Sequence, residues 1–158
     1  MANRYWVGGA GTWDTTTTTH WSTASGGGGG ASVPTAADAV FFDQAGTYTV
    51  TMTGALTCLD ITVSAGTVTF ATGTTPTLAI SGSMSLLAGT VWSSTGAITF
   101  NATTTGKTVT TNGVSISGAI TFNGVGGSWT LGSALTSTTV TFTNGTFNTG
   151  NYSCTCNL

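Results

Sequence analysis

The hexapeptide Gly-Ala-Ile-Thr-Phe-Asn occurs twice, at Gly96–Asn101 and again at Gly118–Asn123. The copies start about 22 residues apart, the size of one coil of a β-solenoid. Looser copies flank them at Val50-Thr51-Met52, Val68-Thr69-Phe70 and Val140-Thr141-Phe142. A repeat this short constrains the chain severely. No single copy encloses its own apolar side chains, so each layer must bury them against the next. The repeat predicts an all-β parallel β-helix, or solenoid, of about five coils. Equivalent positions then stack about 4.8 Å apart, Phe on Phe and Ile on Ile. The expected stacked core is Val68, Phe70, Ile98, Phe100, Ile120, Phe122, Val140 and Phe142.

Local patterning agrees with strands. Apolar residues alternate with Thr, Ser or Asp at Tyr48–Val50–Met52, Leu59–Ile61–Val63, Leu78–Ile80 and Trp129–Leu131. Gly-containing turns separate these runs at Gly54, Gly66, Gly73, Gly82, Gly89 and beyond. Short strands with turns every 8–12 residues also fit a β-sandwich, which is the alternative architecture. Two-residue hairpin signals are few, however: Asn112-Gly113, Asn123-Gly124 and Asn144-Gly145.

Composition sets the class and removes several functions. Thr fills about a quarter of the 158 residues, there are 24 Gly, and Glu is absent. The branched Cβ of Thr favours pleated strands, and helix formers are scarce. Charged residues make up 4%: Asp14, Asp38, Asp43, Asp60, Arg4 and Lys107. A mean hydropathy of +0.28 and a net charge of −2 set the chain apart from disordered sequences. So few charges give weak colloidal repulsion, which favours self-association. Two basic residues cannot neutralise a run of phosphates, so nucleic acid is not an expected partner. There is no apolar run of about 18 residues, and no basic segment leading into an apolar stretch at the N-terminus. Neither a membrane partner nor a signal peptide is expected.

Two regions differ in character. Residues 1–45 hold Trp6, Trp13 and Trp21, the only His, three of the four Asp and the run Gly26–Gly30. They read as an N-terminal cap or attachment region built on Trp6, Trp13, Trp21, Phe41 and Phe42. Residues 46–158 read as the solenoid repeats. A solenoid needs caps, because its end coil exposes unpaired backbone and apolar faces. No polar cap is visible over Asn151–Leu158, so either the last coil pairs with another chain or this chain is the front part of a longer protein.

Candidate reactive motifs are weak. Asn101–Thr108 approximates a phosphate loop, but its first Gly is replaced by Asn101 and strand residues follow where a helix is required. Gly26–Gly30 reads as a flexible loop. His20 lacks neighbouring Cys and reads as a cap or surface residue. Glycoside hydrolysis needs two carboxyl groups about 5–10 Å apart, and the repeats carry only Asp60. Asp38 and Asp43 are conceivable calcium ligands, and turn residues on the plainer reading. Cys58, Cys154 and Cys156 read as reduced, buried thiols behaving as small apolar residues. No catalytic residue, metal or cofactor is expected.

The segments Asn3–Asp14, His20-Trp21-Ser22, Ser32–Thr35 and Asp38–Asp43 resemble the opening of tailed-bacteriophage virion proteins. They are also similar to the opening of some β-helical bacterial adhesins. The resemblance implies a non-enzymatic, multi-copy virion protein: a fibre, spike or capsid-surface (decoration) element, made in the host cytoplasm. It implies other virion proteins as partners and a homo-oligomer, a trimer being one form. The alternative is a glycan-binding receptor-recognition module or adhesin meeting a host surface sugar, with Trp92 stacking on the sugar if exposed. A further alternative is an ice-binding protein, since Thr-x-Thr patches recur at Thr47–Thr49, Thr67–Thr69 and Thr139–Thr143.

Overall fold

The computed structural model describes residues 1–156. Eighteen strands wind around one axis, and no helix occurs among the described residues. The first coil holds β1 (Ala2–Trp6) and β2 (Gly11–Trp13), followed by the short β3 (Trp21–Ser22). Complete coils follow: β4 (Asp38–Phe42), β5 (Thr47–Met52) and β6 (Ala55–Cys58); then β7 (Ile61–Val63), β8 (Thr67–Thr72) and β9 (Thr77–Ile80). Next come β10 (Met84–Ser85), β11 (Val91–Trp92) and β12 (Ala97–Phe100), then β13 (Lys107–Thr110) and β14 (Ser115–Ile116). β15 (Ile120–Leu131), β16 (Leu135–Ser137), β17 (Val140–Asn148) and β18 (Cys154–Cys156) complete the chain.

After the first coil, which lacks a third-face strand, each coil lays one strand on each of three faces, for about six turns in all. β1, β4, β7, β10 and β13 form the first face. The second is a seven-stranded sheet, β2–β5–β8–β11–β14–β16–β18. β6, β9 and β12 lie on the third. β15 and β17 each run around a corner, so they join the third face to the first in one eleven-stranded sheet. Pairing along the axis is parallel throughout, except for β3 on β1. A parallel partner needs a long return path, and the rest of the coil supplies it. The β-sandwich alternative is thereby excluded.

Register explains the core. On the third face Leu56, Leu78, Ile98, Ile120 and Val140 stand in one file, and Cys58, Ile80, Phe100, Phe122 and Phe142 in the next. The second face stacks Val50, Phe70, Trp92 and Ile116. The first stacks Val40, Ile61, Met84, Val109 and Leu131. All of these are buried except Val140 and Phe142. Each fully buried Val, Leu, Ile, Phe or Met contributes about 1.5–3 kcal/mol, so the stack holds without ionic support.

Three expectations need correction. Val68 and Phe70 lie on the second face, whereas Ile98, Phe100, Ile120, Phe122, Val140 and Phe142 share the third. Similar Val/Ile-Thr-Phe triplets thus serve two different faces, because each needs only period-2 alternation. Phe142 stacks on Phe122 at 5.4 Å yet is 54% exposed, since no coil covers it among the described residues. Finally, the coil stack begins at Ala2: β1 and β2 already pair in parallel with β4 and β5.

Corners take residues the turn demands. Asn112 and Gly113 have φ of 50° and 84°, as in a tight hairpin turn, but β13 and β14 on either side belong to different sheets, so here the Asn-Gly pair makes a corner. Gly118 packs so close to the Gly96 carbonyl that a Cβ there would overlap it.

Candidate functional site

The two ends of the solenoid are chemically distinct. At the N-terminal end, residues 14–37 leave the coil path and fold over the open layer. β3 pairs antiparallel with β1, setting Trp21 opposite Trp6. Trp6, Trp13 and Trp21 are all buried, and Trp21 meets the other two edge-on at 5.1 and 5.4 Å. Phe42 joins them from the next coil at 5.8 Å from Trp6. Such edge contacts add about 0.5–1.5 kcal/mol each beyond burial. Phe41 points the other way, lying half-buried against Tyr5 at 5.0 Å on the outer surface.

Polar groups lock this end. His20 stacks on Trp6 at 4.8 Å, and its Nδ1 lies 2.8 Å from the Val7 carbonyl. The Trp6 indole N–H donates to the Gly9 carbonyl at 2.7 Å. Gly30 donates to the Thr18 carbonyl at 3.0 Å, and Gly29 lies so close to the Thr19 carbonyl that a Cβ would overlap it. The glycine run is thus a largely exposed loop, as expected from composition, pinned to this end at Gly29 and Gly30. Arg4 donates to the Ser32 carbonyl at 2.9 Å and to the Ser32 hydroxyl at 2.8 Å.

The carboxylates serve turns. Asp14 accepts from the N–H of Thr16 at 2.7 Å and of Thr17 at 2.6 Å. Asp38 accepts from the Thr35 N–H at 3.0 Å and hydroxyl at 2.8 Å, and from the Ala2 N–H at 3.3 Å. Asp60 accepts from the Ser83 N–H at 2.7 Å. For Asp14 and Asp38, burial pushes the pKa up, but these hydrogen bonds outweigh it and hold both below the usual value. Arg4 adds to the effect at Asp38. Burial, with the Asp43 charge adding, pushes Tyr48 up to about 12. Among the described residues, no three His, Cys, Asp or Glu gather as a metal set. Within Asn101–Thr108, a loop runs to Gly106 and leads into β13 at Lys107, with no helix behind it.

Among the described residues, nothing covers the last coil. β17 and β18 carry the last edges of the stack. Cys154 and Cys156 continue the inward files of Leu135 and Ser137, yet both are exposed. This corrects the expectation of three buried thiols: Cys58 alone is buried, in the inward file of β6 with β9 stacked on it. Burial followed by the Asp60 charge pushes the Cys58 thiol up, so it stays protonated. The exposed apolar surface here includes Phe142 and Tyr152, with Phe147 half-covered and 4.6 Å from Phe142.

A shallow groove of about 430 Å³ lies on the second face, lined by Thr90, Val91, Ser93, Asn112, Val114 and Ser115 among others. None of its lining residues is charged. Trp92 forms its floor but is buried, so it is not the exposed stacking platform considered above. Outward threonines lie on two faces: Thr47 on Thr67 and Thr49 on Thr69, two files wide over two coils, on the second, and the file Thr57–Ala79–Thr99–Thr121–Thr141, beside Ala55–Thr77–Ala97, on the third. On the third face the hydroxyls run essentially one file wide.

No helix of the described residues is long and apolar enough to cross a membrane. No protein-family model matches the chain, and neither a curated protein nor a solved structure matches it.

Proposed function

We propose that this chain is a non-enzymatic structural protein of a tailed-bacteriophage particle, present in several copies as a fibre, spike or capsid-surface element. One observation carries the reading: a nearly uncharged parallel solenoid whose first layer is packed over by Trp6, Trp13 and Trp21 and whose inward files stack without ionic support. A stiff coil stack with an aromatic cover on its first layer is suited to assembly. Its stiffness comes from stacked side chains and backbone ladders, which salt hardly weakens because there is little charge to screen. The N-terminal cap, with its outer Tyr5–Phe41 pair, is the surface that meets other virion proteins. Gold-conjugated antibodies against the chain, applied to particles produced from the genome that encodes it, test the reading. Labelling of intact or gently disrupted particles supports it, and no labelling of either overturns it.

A second reading is favoured by the groove on the second face. Its hydroxyl, amide and small apolar lining suits a neutral sugar of a host surface better than an ionic ligand. Saturable binding on a glycan array, lost in Asn112→Ala or Val91→Asp, supports receptor recognition. Uniform absence of binding removes it.

A further inference from the structure

We infer that the groove on the second face selects sugars bearing an N-acetyl group, the acetamido carbonyl accepting from the Thr90 hydroxyl and the Trp92 indole N–H. This names the ligand class for the sugar-binding reading above and rests on it.

Two buried donors mark the place. Thr90 and Trp92 both line the groove, and they are 6% and 2% exposed. Thr90 Oγ1 and Trp92 Nε1 have no hydrogen-bond partner among the described residues. A buried donor without an acceptor is a standing cost to folding. Trp21 and Trp129 carry the same unpaired N–H but line no part of this groove, so the orphan alone is no signal. At Thr90 and Trp92 it coincides with a cavity.

The two donors lie just under the groove surface, at the most weakly laddered seam of the second face. β11 and β14 share one register pair, Trp92 with Ile116, where β5 and β8 share six. Just beyond it, the Ser117 N–H reaches the Trp92 carbonyl only at 3.3 Å. This seam yields more easily than the others, and a small opening uncovers the donors to a ligand.

The chemistry of the lining selects the partner. An indole N–H can only donate, and the Thr90 hydroxyl has a proton to donate beside it. Their best complement is an oxygen with two lone pairs and no hydrogen of its own. A carbonyl oxygen meets this, whereas a sugar hydroxyl brings a further hydrogen that needs an acceptor. Asn112 donates its Nδ2 to the Leu86 carbonyl at 2.8 Å, which leaves Oδ1 to accept the acetamido N–H. Val91 and Val114 offer apolar contact for the acetamido methyl. A carboxylated or sulfated sugar finds no counter-charge, because no lining residue is charged.

Paired ligands test this. Glycan-array hits are titrated calorimetrically beside analogues that carry hydroxyl in place of acetamido, N,N′-diacetylchitobiose against cellobiose being the first pair. The acetamido member should bind about tenfold or more tighter. Thr90→Val and Trp92→Phe should each remove most of that preference. Thr90→Val should do so with the melting temperature of the free chain unchanged or raised, since it deletes a buried hydroxyl that has no partner. If Trp92→Phe does not fold, Thr90→Val decides alone. Hits confined to glycans without acetamido, equal affinity within a pair, or a preference that survives Thr90→Val overturns the inference and leaves sugar recognition standing. An array without hits overturns both.

Discussion

Phe122 sits where the stacking argument makes its largest demand. Its ring lies 4.9 Å from Phe100 at an interplanar angle of 10°, and 5.4 Å from Phe142 at 11°. Trp129 meets it at 5.3 Å and Phe147 at 4.7 Å. It is 1% exposed. Replacing Phe122 by Ala removes a buried ring and leaves a void between layers that backbone ladders hold at fixed spacing. Such sites relax poorly, so the cost lies at the upper end of the range for Phe→Ala, about 4–5 kcal/mol. Loss of ring–ring contacts on both sides pushes the same way. Phe142 offers the internal control: it has the same side chain in the same file one coil later, but is 54% exposed. Phe142→Ala should cost about 1 kcal/mol when measured on dilute, monomeric chain. Urea unfolding followed by tryptophan fluorescence gives both values from the midpoint and slope. Two results would refute the reasoning. One is a loss below about 1 kcal/mol for Phe122→Ala; the other is equal losses at the two positions.

Other outcomes follow from the same structure. Asp14 and Asp38 titrate below their ordinary range in the folded chain, so their stabilisation is present above the unfolded carboxyl value of 3.8 and disappears as pH falls through the folded values. The melting temperature should therefore drop below about pH 4, and the slope should flatten in Asp38→Asn. Tyr48 works in the opposite direction. Its contribution is intact below about pH 10 and is lost as pH climbs toward about 12, so Tyr48→Phe should hold its melting temperature better across that interval. Gly118→Ala should cost about 1–3 kcal/mol, because the new methyl overlaps the Gly96 carbonyl. Gly28→Ala, where a Cβ meets nothing within 4 Å, should be neutral or stabilising by up to about 1 kcal/mol. Thermal melts of the two glycine variants check this contrast.

The repeated Gly-Ala-Ile-Thr-Phe-Asn segment determined the solenoid and, at Ile98–Ile120 and Phe100–Phe122, even the register. A fixed period forces equivalent residues into one file, and alternation forces that file inward, so both are written in one dimension. The Trp-rich opening likewise marked a cap. Face assignment was not legible: Val68-Thr69-Phe70 and Ile98-Thr99-Phe100 read alike but occupy different faces, because a triplet records which side points in and not where the coil turns. The exposure of Cys154, Cys156 and Phe142 was also hidden, since each lies in an inward pattern whose burial depends on a further layer. The groove around Asn112 and the convergence of Trp6, Trp13 and Trp21 belong to tertiary structure too. They arise where segments distant in sequence, without a shared period, are brought together by the winding of the coils.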